Sequence, residues 1–234
     1  MRLDKFLAET TGLTRSQAAK VLRQSAVTIN GKIEKSGAAK VSPDDEIYYD
    51  GERLTWVENG QYIMLHKPQG YICSHEDGDH PTIYQFFDYP LSTCLHSAGR
   101  LDVDTTGLVL LTDDGQWSHR ITSPKHHYPK TYLVTLADPV EANYAQACAE
   151  GILLRGEKEP TKPAELEILD DYNVNLTISE GRYHQVKRMF AALGNKVVGL
   201  HRWKIGNLVL DDDLGEGEFR PLTEEEIAYL GGES

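Results

Sequence analysis

The sequence predicts an α+β protein of two domains, on three observations. Within residues 1–58, apolar residues at helical spacing give way to short strand signals. From Tyr62 onward, short apolar strand-like runs mix irregularly with two helical patterns, which suits a large, mostly antiparallel sheet better than a regular strand–helix alternation. Between these stretches lies the polar, turn-like Glu58-Asn59-Gly60-Gln61. The boundaries drawn from this are 1–58 for a small first domain, 59–61 for a linker and 62–234 for the second domain.

Leu3, Phe6 and Leu7 recur at helical spacing and Gly12 stands where a C-terminal cap would, which predicts a short first helix. Thr14-Arg15-Ser16-Gln17 has capping-box form and opens a second helix with Ala18, Val21 and Leu22 as its apolar stripe. Arg15, Lys20 and Arg23 fall off that stripe. Val27-Thr28-Ile29, Asn30-Gly31 and Lys32-Ile33-Glu34 form an Asn-Gly hairpin signal, with another short strand at 46–49. In the second domain, strand-like runs fall at 63–65, 107–111, 132–136, 166–169, 174–178 and 196–200. Helical patterns fall at 142–150 and at 185–193, where Val186, Met189, Phe190 and Leu193 share one face.

With 234 residues and 40% apolar content the chain can bury a sizeable core. Cys73, Cys94 and Cys148 stand far apart without CxxC spacing, so they read as reduced thiols, not as a zinc site or a disulfide framework. No apolar run approaches the length a bilayer needs, and the N-terminus lacks the apolar region of a signal peptide, so a cytoplasmic protein without a membrane partner is expected. The net charge of −12 counts against a nucleic-acid partner, because phosphate binding depends on displaced counterions. Its distribution reverses that reading. Residues 1–40 carry eight Lys and Arg against three Asp and Glu, whereas residues 41–58 carry one against six. A local basic face is what an RNA backbone senses, since charges more than about 10 Å apart are screened at ordinary salt. On spacing alone, these cations fit an ordinary solvated face equally well.

The stretch from Gly99 to Gly115 carries the most chemical information. Two glycines bracket a polar loop, and the loop runs into an apolar strand that must be buried, so Asp102 is held at the mouth of a rigid element. Arg100, two residues away, is a cation that could keep Asp102 ionised. An isolated aspartate in a loop is more often a turn cap, and on strand periodicity Tyr132 with Val134 marks a buried face. Asp102 and Asp104 could pair on a metal, but no third ligand stands at a recognisable spacing. His126 and His127, beside Lys125 and Lys130, point to opposite faces of an extended segment and suit a phosphate-contacting edge better than a metal site.

Residues 1–58 resemble the S4-like RNA-binding domain, through Arg2-Leu3-Asp4, Ser16 to Ala19 and Val27-Thr28-Ile29-Asn30-Gly31. The run Gly-Arg-Leu-Asp-x-x-Thr-x-Gly-Leu at 99–108, followed by Leu-Leu-Thr-x-Asp-Gly at 110–115, resembles the catalytic motif of the small-subunit rRNA type of pseudouridine synthase, the RsuA-like family. Lys67-Pro68-Gln69-Gly70, Lys130-Thr131-Tyr132, Glu180 to Met189 and Arg220-Pro221-Leu222-Thr223 agree in the same order, so the resemblance spans nearly the whole chain.

That resemblance implies an isomerase that converts one uridine of ribosomal RNA to pseudouridine without metal or cofactor. Asp102 is then the essential aspartate, Tyr132 the tyrosine against the target base, and Lys187 the basic partner of the aspartate, with Arg188 as the other contender and Arg100 close by. Arg2, Arg15, Lys20, Arg23, Lys32, Lys125 and Arg188 form the expected RNA-contacting set. The expected substrate is 16S rRNA in an assembling small subunit, at the uridine conventionally numbered 516, and the expected state is a monomer. A synthase acting on 23S rRNA and a non-catalytic RNA-binding assembly factor are the alternatives.

Overall fold

The computed structural model describes residues 1–11, 13–56, 60–75, 78–88, 91–123 and 128–231. The expected cap at Gly12, part of the expected linker, and Lys125 with His126 and His127 lie outside the described residues. The chain divides into two compact units, Met1–Gly60 with Tyr84–Leu95, and Gln61–Ile83 with His96–Ser234.

In the first unit, α1 (Leu3–Thr11) and α2 (Arg15–Arg23) precede β1 (Val27–Ile29), β2 (Lys32–Ile33), β3 (Ile47–Tyr49) and β4 (Glu52–Arg53), with sheet order β2-β1-β3-β4. The capping box forms in both directions: Thr14 Oγ1 accepts from the Gln17 amide at 3.2 Å, and the Thr14 amide donates to Gln17 Oε1 at 2.7 Å. Asn30 and Gly31 both adopt positive φ, as a two-residue hairpin with right-twisted strands requires. Leu3, Phe6, Leu7, Ala18, Leu22, Val27 and Ile47 are buried together, so the helical stripe and the alternate strand positions meet in one core. Later in the chain, a 3₁₀ turn at Ile83–Phe86 and the short α3 (Leu91–Cys94) follow.

The second unit is built from β5 (Tyr62–Lys67), β6 (His96–Ser97), β7 (Thr106–Thr112), α4 (Gly115–Thr122), β8 (Lys130–Leu136), α5 (Tyr144–Glu150), β9 (Glu165–Ile168), β10 (Asn173–Ile178), α6 (Gln185–Ala192), β11 (Val197–Ile205), β12 (Leu208–Val209), β13 (Phe219–Pro221) and α7 (Glu224–Gly231). Its sheet runs β13-β5-β7-β11-β8-β10-β9, with β12 beside β11 and β6 beside β7. Every pairing described is antiparallel except β7 with β11, so the expected α+β class with a mostly antiparallel sheet is what forms. No helix among the described residues is long and apolar enough to cross a membrane.

Besides the short α3, two helices were not foreseen, α4 and α7. The Asp114 side chain accepts from the amides of Gln116 at 2.8 Å and Trp117 at 3.0 Å, which starts α4 where the sequence reading placed no element. Trp117 is buried there and its indole N–H donates to the Ile227 carbonyl of α7 at 3.2 Å, so each helix depends on the other.

The parallel junction of β7 and β11 is the tightest backbone approach that bears on the site. Gly107 has φ 108°, and a Cβ at this position would lie 2.1 Å from the Arg202 carbonyl oxygen. Gly107→Ala should therefore destabilise the second unit by roughly 3–5 kcal/mol, through backbone strain plus a forced separation of two strands. Urea unfolding followed by tryptophan fluorescence measures this, and a loss below 1 kcal/mol would contradict the packing described.

Candidate active site

The loop before β7 is held from behind by β5. Lys67, at the end of β5, is wholly buried, and its ammonium donates to the carbonyls of Thr105 at 2.7 Å, Pro68 at 3.0 Å and Val103 at 3.5 Å. Burial lowers the Lys67 pKa, and nearby Cys73, Asp104 and Asp102 offset part of that shift. The Gly70 amide donates to the Val103 carbonyl at 2.7 Å, and the Thr105 amide donates to that of Asp102 at 3.1 Å. Leu101 is buried, so the loop is fastened on both sides of Asp102 while the carboxylate itself stays accessible.

α6 brings the cation. Lys187, in its first turn, donates to Asp102 Oδ2 at 3.0 Å and to Asp104 Oδ1 at 2.6 Å. Burial alone would raise the Asp104 pKa and lower that of Lys187. The hydrogen bonds and charges of the cluster outweigh it, holding Asp104 below the ordinary carboxylate range and Lys187 above the ordinary lysine value. The Asp102–Asp104 pair weighed as a metal ligand set is thus bridged by an ammonium group. His184 caps the helix in the left-handed conformation, φ 48° and ψ 36°, and its Nε2 lies 3.5 Å from Asp102 Oδ1. For a non-glycine residue that conformation costs on the order of 1 kcal/mol, and it is found where a site over-determines the backbone.

The floor comes from the sheet. In the register, Tyr132 on β8 faces Arg202 on β11, and Arg202 in turn faces Gly107 on β7. Tyr132 is buried in line with Val134 and Leu136, and its residue lines a cleft of about 820 Å³ together with Asp102, Arg100, Lys187 and Lys130. Arg202 is only 3% exposed, and its Nε and Nη2 donate to the Leu108 carbonyl at 2.9 and 2.7 Å.

The structure therefore brings Asp102, Tyr132, Lys187 and Arg100 to one cleft. It separates the cations named from the sequence. The cation paired with Asp102 is Lys187, whereas Arg100 is exposed and forms no ion pair among the described residues. Arg188 is turned away: it donates to Glu157 at 2.9 Å and to the carbonyls of Tyr183 and Arg155. One residue along a helix is a rotation of about 100°, so adjacent basic side chains cannot both face Asp102. Among the other expected contacts, Arg15, Lys20, Arg23 and Lys32 are exposed and without ion pairs among the described residues, whereas Arg2 is held by Asp4 at 2.7 Å. No residue type marks the buried Arg202, or the role of Lys67 within the Lys67-Pro68-Gln69-Gly70 motif, because their acceptors are backbone carbonyls.

Residues 61–192 match the family model described as RNA pseudouridylate synthase, and residues 1–47 match the S4 domain. The chain is 80% identical over 230 residues to a ribosomal small subunit pseudouridine synthase A of Haemophilus influenzae, covering 98% of this chain and 99% of that protein. It is 58% identical to the protein of that name in Escherichia coli K12, covering 98% and 100%. A crystal structure described as a pseudouridylate synthase superimposes with a TM-score of 0.73 at 78% identity, covering 98% of this chain and 99% of that one.

Lys67→Met would leave three carbonyls without their shared donor and free the loop that carries Asp102. Losing such buried bonds costs about 1–3 kcal/mol locally, so amide exchange at Gly70 and Thr105 should accelerate roughly 5- to 150-fold while the melting of the first unit stays unchanged. Unaltered exchange at both amides would show that Lys67 is not what holds the loop.

Proposed function

Because the chain belongs to the RNA pseudouridylate synthase family, we propose that it isomerises a single uridine of 16S rRNA, the one conventionally numbered 516, during assembly of the small subunit, with Asp102 as the reacting carboxylate. The single observation that carries this reading is the Asp102 carboxylate, held between Lys187 and His184 at a cleft whose floor holds Tyr132. Relatives at 58–80% identity that are named for the small ribosomal subunit support the 16S target over 23S rRNA. The protein works in the cytoplasm as a monomer, and the chemistry needs no redox cofactor because nothing is oxidised.

The reaction breaks the bond between N1 of uracil and C1′ of the ribose, turns the base and joins C5 to C1′. A uridine stacked in RNA hides its sugar, so the nucleotide leaves the stack at a cost of a few kcal/mol, offset by contacts in the cleft. The Asp102 carboxylate attacks C1′ as a glycosidase nucleophile does, or removes a proton from C2′ to give a glycal; both routes use an ionised carboxylate. The Lys187 ammonium donates to that carboxylate and fixes its direction. Tyr132 offers a ring on which the uracil stacks and a hydroxyl within the cleft. A carboxylate positioned in this way is superfluous in a protein that only binds RNA, which disfavours the assembly-factor reading.

Asp102→Asn should bind the rRNA substrate with an affinity within about threefold of wild type and form no pseudouridine, as read by carbodiimide-dependent primer-extension stops. Substantial product from the purified variant would falsify the assignment of the carboxylate.

Target choice is assigned to the free cations of the first unit. Reversing Arg15, Lys20, Arg23 and Lys32 to Glu should weaken RNA binding and flatten its dependence on salt by up to about four in the log–log slope, because fewer counterions are displaced. Turnover of bound RNA should stay the same. Pseudouridine sequencing of rRNA from cells with and without the protein tests the address: a site lost from 23S rRNA, with 16S unaffected, would overturn it.

A further inference from the structure

We propose that Lys130 is the cation that stabilises the uracil anion released when the N-glycosidic bond breaks, and so acts as a second catalytic residue beside Asp102. This rests on the isomerase reading above and assigns its leaving-group partner.

Lys130 opens β8 two residues before Tyr132, so both side chains leave the strand on the same face, and both residues line the cleft with Asp102. Its cross-strand neighbours Ile178 and Ile205 also line the cleft, which gives it apolar flanks. The other cations there are committed or solvated. Lys187 serves Asp102 and Asp104, Arg182 serves Glu180 and two carbonyls, Arg202 serves the Leu108 carbonyl, and Arg100 and Lys162 are exposed. Lys130 is half-buried, and its ammonium makes no hydrogen bond or ion pair among the described residues. Burial, with the charge of Arg202 adding to it, pushes its pKa down to about 8.

A cation partly removed from water and without a partner is a standing cost, unless an anion arrives. The reaction supplies one. When the N1–C1′ bond breaks, its electron pair passes to the uracil and spreads over N1, O2 and O4. When C5 bonds to C1′ the pair is returned, the C5 proton departs and N1 gains one, so the base is neutral again. An ammonium group that meets negative charge only between these two events lowers the barrier without tightening the hold on substrate. Lys130 keeps its proton throughout. The expectation from sequence that this segment forms a phosphate-contacting edge is the competing role, and the experiment separates the two.

Lys130→Met and Lys130→Arg are compared with wild type on an rRNA substrate. Lys130→Met should lower the single-turnover rate on the order of 100- to 1000-fold, with Kd and its salt slope unchanged; Lys130→Arg should recover the rate to within about tenfold. Wild-type kcat/KM should fall above pH about 8 as Lys130 loses its proton, and Lys130→Arg should lack that fall. Misfolding is controlled by thermal melting. Near neutral pH Lys130→Met should melt at or above the wild-type temperature, since an unpaired, half-buried cation is removed. The gap should close as pH rises through about 8 toward the ordinary lysine range, where the unfolded wild type binds more protons than the folded form and wild-type stability therefore increases with pH. A Lys130→Met rate within about threefold of wild type overturns the proposal, as does weaker binding with a flatter salt slope and an unchanged rate on bound RNA, which marks a phosphate contact. Either result beside an inactive Asp102→Asn leaves the isomerase assignment standing, whereas an active Asp102→Asn removes that assignment first.

Discussion

The close approach of two parallel strands at Gly107 is the constraint on which the site depends. Because Gly107 has no side chain, the Arg202 backbone lies against it, and one row of residues then crosses the sheet from Gly107 through Arg202 and Tyr132 to Leu176. This register sets the start of β7 level with the later part of β11 and near the C-terminal end of β10. The Asp102 loop precedes β7, and the segment leading to α6 follows β10. Two stretches some 80 residues apart thus arrive at the same end of one sheet, and the Lys187–Asp102 bond closes between them.

Charge in the second unit is arranged by what each group is tied to. Lys67 is spent on carbonyls and makes the loop rigid; Arg202 is spent on the Leu108 carbonyl and fastens the parallel junction; Arg188 and Arg182 are spent on Glu157 and Glu180 and hold the approach to α6. Such bonds join groups that burial would otherwise penalise, and their value lies in positioning. Lys187 differs, since it binds two carboxylates, of which Asp102 remains open to the cleft. A carboxylate held rigid and accessible is what attack on a ribose carbon or abstraction of its neighbour's proton requires.

Strain is concentrated beside the same residue. His184 takes a left-handed backbone at the start of α6, and its side chain gives that helix no capping hydrogen bond. The structure compensates through Gln185, whose side chain accepts from the Arg182 amide at 2.9 Å and donates to Glu180 at 2.9 Å. The result sets the imidazole against Asp102 and stacks the exposed Tyr183 ring on it at 3.8 Å.

Legible in the residues alone were the α+β class, the capping box at Thr14, the Asn30-Gly31 hairpin, α6 and the loop that carries Asp102. Each of these is written in residues close together in the chain, through periodicity, capping or turn chemistry. α4 was not legible because its start depends on one side chain, Asp114, and its persistence on Trp117 packing against α7, more than 100 residues later. The choice between Lys187 and Arg188 belonged to tertiary structure as well, since both are basic and only the facing of α6 decides which reaches Asp102 and which reaches Glu157. Arg202 and Lys67 were decided in the same way: their partners are backbone carbonyls brought near by strand register, and a carbonyl is present at every position of a chain, so no residue type announces it.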